Sequence, residues 1–188
     1  MIKSKKDYKE YILEDEKAID CDNKNFFKKY SNPIWKFERA LRKHEYYHNC
    51  SKNIILKQYY RFKHKRLGIK YGFSIPINVF GKGLSIAHVG TIVVNSGARI
   101  GDYCRIHICT CIGTEAGKKN VAPIIGNGVF IGPGAKLFGK IHIADNIVIG
   151  ANAVVNKDFK EPGISIGGIP AKKISNRDSK GLVYNPKN

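Results

Sequence analysis

From about residue 76 the chain keeps a period of six. Read in sixes, the first positions run Pro76, Lys82, His88, Val94, Ile100, Ile106 and Ile112, and after an interruption Ile125, Ile131, Leu137, Ile143, Ile149 and Val155. The fifth positions run Phe80, Ile86, Ile92, Ala98, Cys104 and Thr110, then Val129, Ala135, Ile141, Ile147 and Ala153. An aliphatic residue followed four later by a small or β-branched one, with Gly101, Gly126, Gly132 and Gly150 second in their hexads, limits the fold to a solenoid in which like positions stack coil on coil. Three hexads make one triangular coil. Its first and fifth side chains point into a narrow prism, and Gly or Asn serves the tight corners. The expected fold class is mainly β: a left-handed parallel β-helix, preceded by a small α-helical region.

Between Ile112 and Ile125 the phase slips by one residue, which predicts an excursion, loop 113–124, from one corner of a coil. Such excursions tend to carry function. Up to about Lys70 the pattern is helical instead. Tyr8, Tyr11, Ile12 and Ile19 suit a short first helix. Ser31-Asn32-Pro33 is a cap-then-proline start for a second, with Ile34, Phe37, Leu41 and His44 on one stripe. A third is predicted from about Ser51, with Ile55, Tyr59, Phe62 and Arg66 on neighbouring turns, stopping at Gly68. The expected organisation is an α-helical region over 1–72, a β-helix over 73–174 and a tail over 175–188. The tail, with Pro186 and Lys187, reads as a mobile end or a strap on a neighbouring molecule.

With 188 residues, 43% hydrophobic and 26% charged, the chain holds one domain and an added subdomain, and whole-chain disorder is excluded. No run approaches the roughly 18 apolar residues that cross a bilayer, and Met1-Ile2-Lys3-Ser4-Lys5-Lys6 leads into charge. A cytoplasmic location is expected. The five cysteines, Cys21, Cys50, Cys104, Cys109 and Cys111, form no CxxC pair and read as reduced thiols; no metal site is expected. Of the net charge of +18, the stretch Lys24 to Lys70 contributes fourteen basic residues against Glu38 and Glu45. No nucleic-acid motif accompanies it, so nucleic acid is not an expected partner. A solvated Lys-rich face, an anionic ligand such as a nucleotide cofactor, or a membrane surface would each account for the charge, and nothing in the sequence singles out the membrane.

Three stretches are more specific than the repeat. They are Gly83-Leu84-Ser85-Ile86-Ala87-His88-Val89-Gly90-Thr91-Ile92-Val93-Val94, the loop exit Ala122-Pro123-Ile124-Ile125-Gly126, and Gly168-Ile169-Pro170-Ala171-Lys172. In these the chain resembles the hexapeptide-repeat acyltransferases, and within them the serine O-acetyltransferase group and its polysaccharide O-acetyltransferase relatives. The resemblance covers roughly Ile75 to Ile174. It implies a homotrimer with active sites between neighbouring prisms, acetyl-CoA as acyl donor along the groove, and His88 as general base. An alcohol is a poor nucleophile at neutral pH, so a base must take its proton as it attacks a thioester.

The resemblance also has gaps. Where serine acetyltransferases carry an acidic residue before this histidine the chain has Ala87, and where they carry a second histidine before the loop proline it has Ala122. The carboxylate that orients the base would align near Phe73, with Ser74 beside it. These differences point from free serine toward the hydroxyl of a sugar or surface-polysaccharide precursor. The alternatives are a true serine O-acetyltransferase of cysteine biosynthesis, N-acetylation of a nucleotide-linked amino sugar, and a non-catalytic β-helix scaffold. Glu115, Asn95 or a backbone carbonyl is expected to partner His88. Ala87, Asn95, His107 and Glu115 are the candidate acceptor-side residues. By resemblance, Pro133 and Ala151 meet the pantetheine arm, Asn156 and Lys157 follow at the last corner, and Lys172 lies near the nucleotide phosphates.

Overall fold

The computed structural model describes residues 1–19, 31–118, 121–184 and 186. Cys21, the acidic and basic runs between residues 20 and 30, Lys119 and Asn120 of the loop, and Lys187 lie outside the described residues.

Helix α1 (Lys5–Ala18) starts where the Ser4 hydroxyl accepts the Asp7 N–H at 3.0 Å, and the Asp7 carboxylate in turn accepts the Lys3 N–H at 2.8 Å. Helix α2 (Pro33–Cys50) is capped by Asn32, whose Oδ1 accepts from the Ile34 and Trp35 N–H groups; Pro33 sits where no N–H is needed. Helix α3 (Ile54–Tyr71) is capped by Asn53 and ends at Gly72, with φ 81° and its N–H on the Gly68 carbonyl. The expected stop at Gly68 is therefore corrected. Gly68 lies inside the helix, and glycine is needed there because a Cβ would come within 2.5 Å of the Phe73 carbonyl oxygen. Among the described residues no helix is long and apolar enough to cross a membrane.

After α3 the chain winds through three parallel sheets. One face holds β1 (Phe73–Ser74), β3 (Ile92–Val94), β6 (Thr110–Gly113), β9 (Lys136–Phe138) and β12 (Val154–Val155). The second holds β4 (Arg99–Ile100), β7 (Ile124–Ile125) and β10 (His142–Ile143). The third holds β2 (Ser85–Ile86), β5 (Arg105–Ile106), β8 (Phe130–Ile131), β11 (Val148–Ile149) and β13 (Ser165–Gly167), closed by antiparallel β14 (Lys172–Ser175). Ile86, Ile106, Ile131, Ile149 and Ile166 are in register on this third face and all buried.

Apart from the slip at loop 113–124, the six-residue phase holds from Ile92 to Val155, and it fails before Ile92. Five residues separate Ile86 from Ile92, whereas three separate Ile106 from Thr110, although Ile86 pairs with Ile106 and Ile92 with Thr110. The prism is lined there by Phe80, Leu84 and Ile86, while the supposed first position His88 is exposed. At the corner joining the second face to the third, each coil caps the one before: Asp102 Oδ1 accepts the Lys82 N–H, Asn127 Oδ1 the Asp102 N–H and Asp145 Oδ1 the Asn127 N–H, at 3.0, 2.8 and 2.7 Å. The tail also departs from expectation. Ser179 is fully buried with its hydroxyl on the Gly128 carbonyl, and the Tyr184 ring lies 6.0 Å from that of Tyr103, so through Tyr184 the chain packs on its own solenoid.

The open edge of the first coil is covered by charged side chains of α1 and α2. Arg42, fully buried, donates to the Phe80 and Gly81 carbonyls and pairs with Asp15 at 2.7 Å and Glu45 at 2.9 Å. Asp15 accepts the Leu84 N–H, Glu45 the Asn78 N–H and Glu38 the Ile86 N–H. Burial works against the charge of Arg42, and Asp15 and Glu45 overcome it, so the guanidinium stays protonated. Burial, with Asp15 nearby, pushes the Glu38 carboxyl well above the usual range. Removing the guanidinium would strand two buried carboxylates and two carbonyls. Arg42→Ala is expected to lower stability by about 3–5 kcal/mol in urea unfolding; a loss under about 1 kcal/mol would contradict the clamp.

Between α2 and α3, His44 Nδ1 lies 3.1 Å from His64 Nδ1, and burial pushes both imidazoles down to about 4. The unfolded chain therefore binds more protons between about pH 6.5 and 4, so this pair's stabilisation is complete above that window and lost as pH falls through it. Relative to a His64→Phe variant, the wild type is expected to lose urea stability between pH 7 and pH 4.5; a constant difference would count against the pair.

Candidate active site

The corner leading from the third face to the first is one of two places, with loop 113–124, where the chain departs from its own repeat. On the lower coils it is short: His107-Ile108-Cys109, Gly132-Pro133-Gly134 and Gly150-Ala151-Asn152. On the first coil it is enlarged to Ala87-His88-Val89-Gly90-Thr91. The extra residues fold back on the coil below, where the Cys109 N–H reaches the Thr91 carbonyl at 2.6 Å. Gly90 is required there: its φ is 155°, and a Cβ would come within 2.9 Å of Ile108 Cγ2. Ala87 is in register with His107, and His88 projects one residue beyond, at the head of a column continued by exposed Pro133 and Ala151.

The His88 and His107 rings lie 6.0 Å apart between centroids at 62°, and His107 also meets the Phe130 ring at 4.9 Å. His107 Nε2 is buried and has no hydrogen-bond partner among the described residues. Burial first, then the charges of Arg105 and His88, hold the His107 imidazole below its ordinary pKa, so it is neutral near pH 7. A neutral ring offers one donor and one acceptor. The small side chain of Ala87 leaves the corner free of a carboxylate, and among the described residues none hydrogen-bonds His88.

Other nominated residues sit elsewhere in the same chain. Glu115 is paired with Lys118 at 2.8 Å, and Asn95 Oδ1 accepts the Gly97 N–H at 2.8 Å. Both belong to the corner leading from the first face to the second, with half-buried Ala122 beside Gly97. Within one chain neither hydrogen-bonds His88. Ser74 pairs with Val93 on the first face, and Phe73 is buried. Pro133 and Ala151 stack on successive coils below His88, and exposed Lys172 pairs with Gly167 at the foot of that column. Exposed Asn156 and Lys157 follow β12 at the loop's corner, the Lys157 ammonium 5.6 Å from the Phe159 ring. The candidate residues thus fall in two groups: His88, His107, Pro133, Ala151 and Lys172 at one corner, and Asn95, Glu115, Asn156 and Lys157 at the next.

No family model matches the chain. It is similar to a serine acetyltransferase of Synechococcus elongatus, 36% identical over 97 residues that make 50% of this chain and 38% of the relative. It is also similar to one of Helicobacter pylori, 40% identical over 96 residues, 50% of this chain and 56% of the relative. The matched segment spans about half the length, or less, of these curated relatives. Among solved structures, Neisseria gonorrhoeae serine acetyltransferase superposes with a TM-score of 0.69 at 27% identity, over 96% of this chain and 67% of that one. A Brucella abortus serine acetyltransferase in complex with coenzyme A superposes at 0.72 over 92% of this chain and 70% of that one; at 23% identity it shows the shared fold alone. In sequence and in fold the chain resembles the serine acetyltransferases.

Because His88 is one of the charges that depress His107, replacing it has a readable effect. In a His88→Gln variant the His107 ring is expected to titrate at higher pH than in wild type, followed by NMR of the imidazole carbons. An unchanged titration would show that the two rings are not neighbours in solution.

Proposed function

We propose that the chain is an acetyl-CoA-dependent O-acetyltransferase with His88 as general base. The observation that carries the proposal is the exposed His88 on an enlarged corner, beside half-buried, neutral His107 with its buried, unpartnered Nε2, and above the Pro133–Ala151 column. His88 takes the proton of the acceptor hydroxyl as its oxygen attacks the thioester carbonyl. The C–O bond forms, the C–S bond breaks, and the imidazolium returns its proton to the departing thiolate. Backbone N–H groups hold the oxyanion, and with no acyl-enzyme nucleophile assigned, transfer is direct within a ternary complex. The neutral His107 would give its orphaned nitrogen a partner by binding the acceptor.

Coenzyme A in the Brucella abortus relative supports the donor. Pro133 and Ala151 of one chain would receive the pantetheine arm, with Lys172 of that chain and Asn156 and Lys157 from the loop corner of the next chain toward the nucleotide. The separation of the candidate residues between two corners supports a homotrimer, in which the loop corner of one chain, with Asn95 and Glu115, would face the His88 corner of the next. We read the three-faced solenoid as the left-handed β-helix of such enzymes, divided at 1–72, 73–174 and 175–188, and place the reaction in the cytoplasm.

The relatives favour free serine as acceptor over the sugar or polysaccharide hydroxyl put first on sequence grounds. The sugar is kept as a second reading for one observation: Ala87 and Ala122 stand where the resemblance calls for an acid and a histidine. Thiol release from acetyl-CoA, offered L-serine and separately a panel of sugars and nucleotide sugars, decides between them. L-serine is expected to support turnover, and His88→Ala to lower it at least about 100-fold with the fold retained. Turnover with a sugar alone would overturn the serine acceptor, and wild-type turnover in His88→Ala would overturn the base.

A further inference from the structure

Helix α3 is apolar on two opposite sides. Its inner side packs His64 and Gly68 into the protein, with Leu67 and Tyr71 against the core. Its outer side carries Ile55, Tyr59, Phe62 and Ile69, which are 81, 52, 65 and 75% exposed. At about 100° per residue these four and Arg66 fall within about 40° of one line, opposite His64. Such a row left in water is unfavourable, and large exposed apolar patches mark contact surfaces.

The charges around the row indicate what covers it. α3 contains Lys57, Arg61, Lys63, Lys65, Arg66 and Lys70 and no Asp or Glu. Lys63 and Lys70 flank the row on one side, Arg61 and Lys65 on the other, all exposed. Beside it, a groove of about 320 Å³ between α2 and α3 is lined by Lys36, Arg39, Lys43 and Lys63 around Tyr60 and Leu67, again without a carboxylate. A second copy docked on the same face by a two-fold axis would set these cations against themselves. A basic helix with aliphatic and aromatic residues along its outer line fits an anionic lipid surface, where the apolar row enters the headgroup boundary and the flanking cations meet phosphates.

We infer that α3 lies in the plane of an anionic bilayer surface, with Ile55, Tyr59, Phe62 and Ile69 inserted and the solenoid held off the membrane. The inference is independent of the proposed acetyl transfer. The test is sedimentation of the full chain with vesicles of phosphatidylcholine alone and of phosphatidylcholine with phosphatidylglycerol. Wild type is expected to bind only the anionic vesicles, and less so as salt is raised. Phe62→Glu/Ile69→Glu is expected to lower that binding by about tenfold or more, and Lys63→Gln/Lys70→Gln to lower it as well. Both variants alter only exposed side chains, so the melting temperature and the mass by light scattering should stay at wild-type values. Three results would overturn the inference: no binding to anionic vesicles, equal binding by Phe62→Glu/Ile69→Glu, or a fall in that variant's mass, which would mean that another copy of this chain covers the row.

Discussion

A stack of parallel coils must give every backbone N–H and carbonyl on its faces a partner in the coil above or below, and everything else in this protein adjusts to that requirement. The third face runs from Ile86 through Ile106, Ile131 and Ile149 to Ile166 in one unbroken register. An added residue on a face would shift the register, so additions are confined to corners. The two large ones, residues 87–91 and loop 113–124, are where the candidate chemistry lies.

The first coil has no coil above it, and a bare edge invites mispairing. Here the edge is met by side chains: Asn78, Leu84 and Ile86 give their N–H groups to Glu45, Asp15 and Glu38, and Phe80 and Gly81 give their carbonyls to Arg42. The ionic cluster is therefore a surrogate coil. It explains why α1 and α2 bury Asp15, Glu38, Arg42 and Glu45, ionisable groups that a purely apolar contact would avoid, and it fixes β2, from which the His88 corner departs. At the other end antiparallel β14 covers β13.

Much of this was legible in the sequence. The aliphatic period gave the three faces from Ile92 to Val155 on either side of loop 113–124, and Asn32-Pro33 gave the start of α2. The enlarged His88 corner was hidden for an arithmetical reason. First and fifth positions are four apart, and two extra residues turn that step into six, so Ile86 and Ile92 kept the apparent phase while the positions exchanged roles. The cluster around Arg42 was illegible because Asp15, Arg42 and Phe80 are distant in sequence and a buried charge has no periodic signature. Gly68 looked like a helix stop since close backbone approach and chain reversal call for the same residue. The partner that orients His88 was not found in loop 113–124 of the same chain, because a single prism places that loop at the next corner.

The central claim is that the enlarged corner, above the Pro133–Ala151 column, is where acetyl transfer takes place. A crystal structure of the protein with a non-transferable thioether analogue of acetyl-CoA tests it most directly. The predicted result has the analogue's sulfur beside His88 and its pantetheine arm along Pro133 and Ala151, with a neighbouring chain closing the groove. An analogue bound at a different corner, or a His88 corner left open to solvent in every oligomer contact, would contradict it.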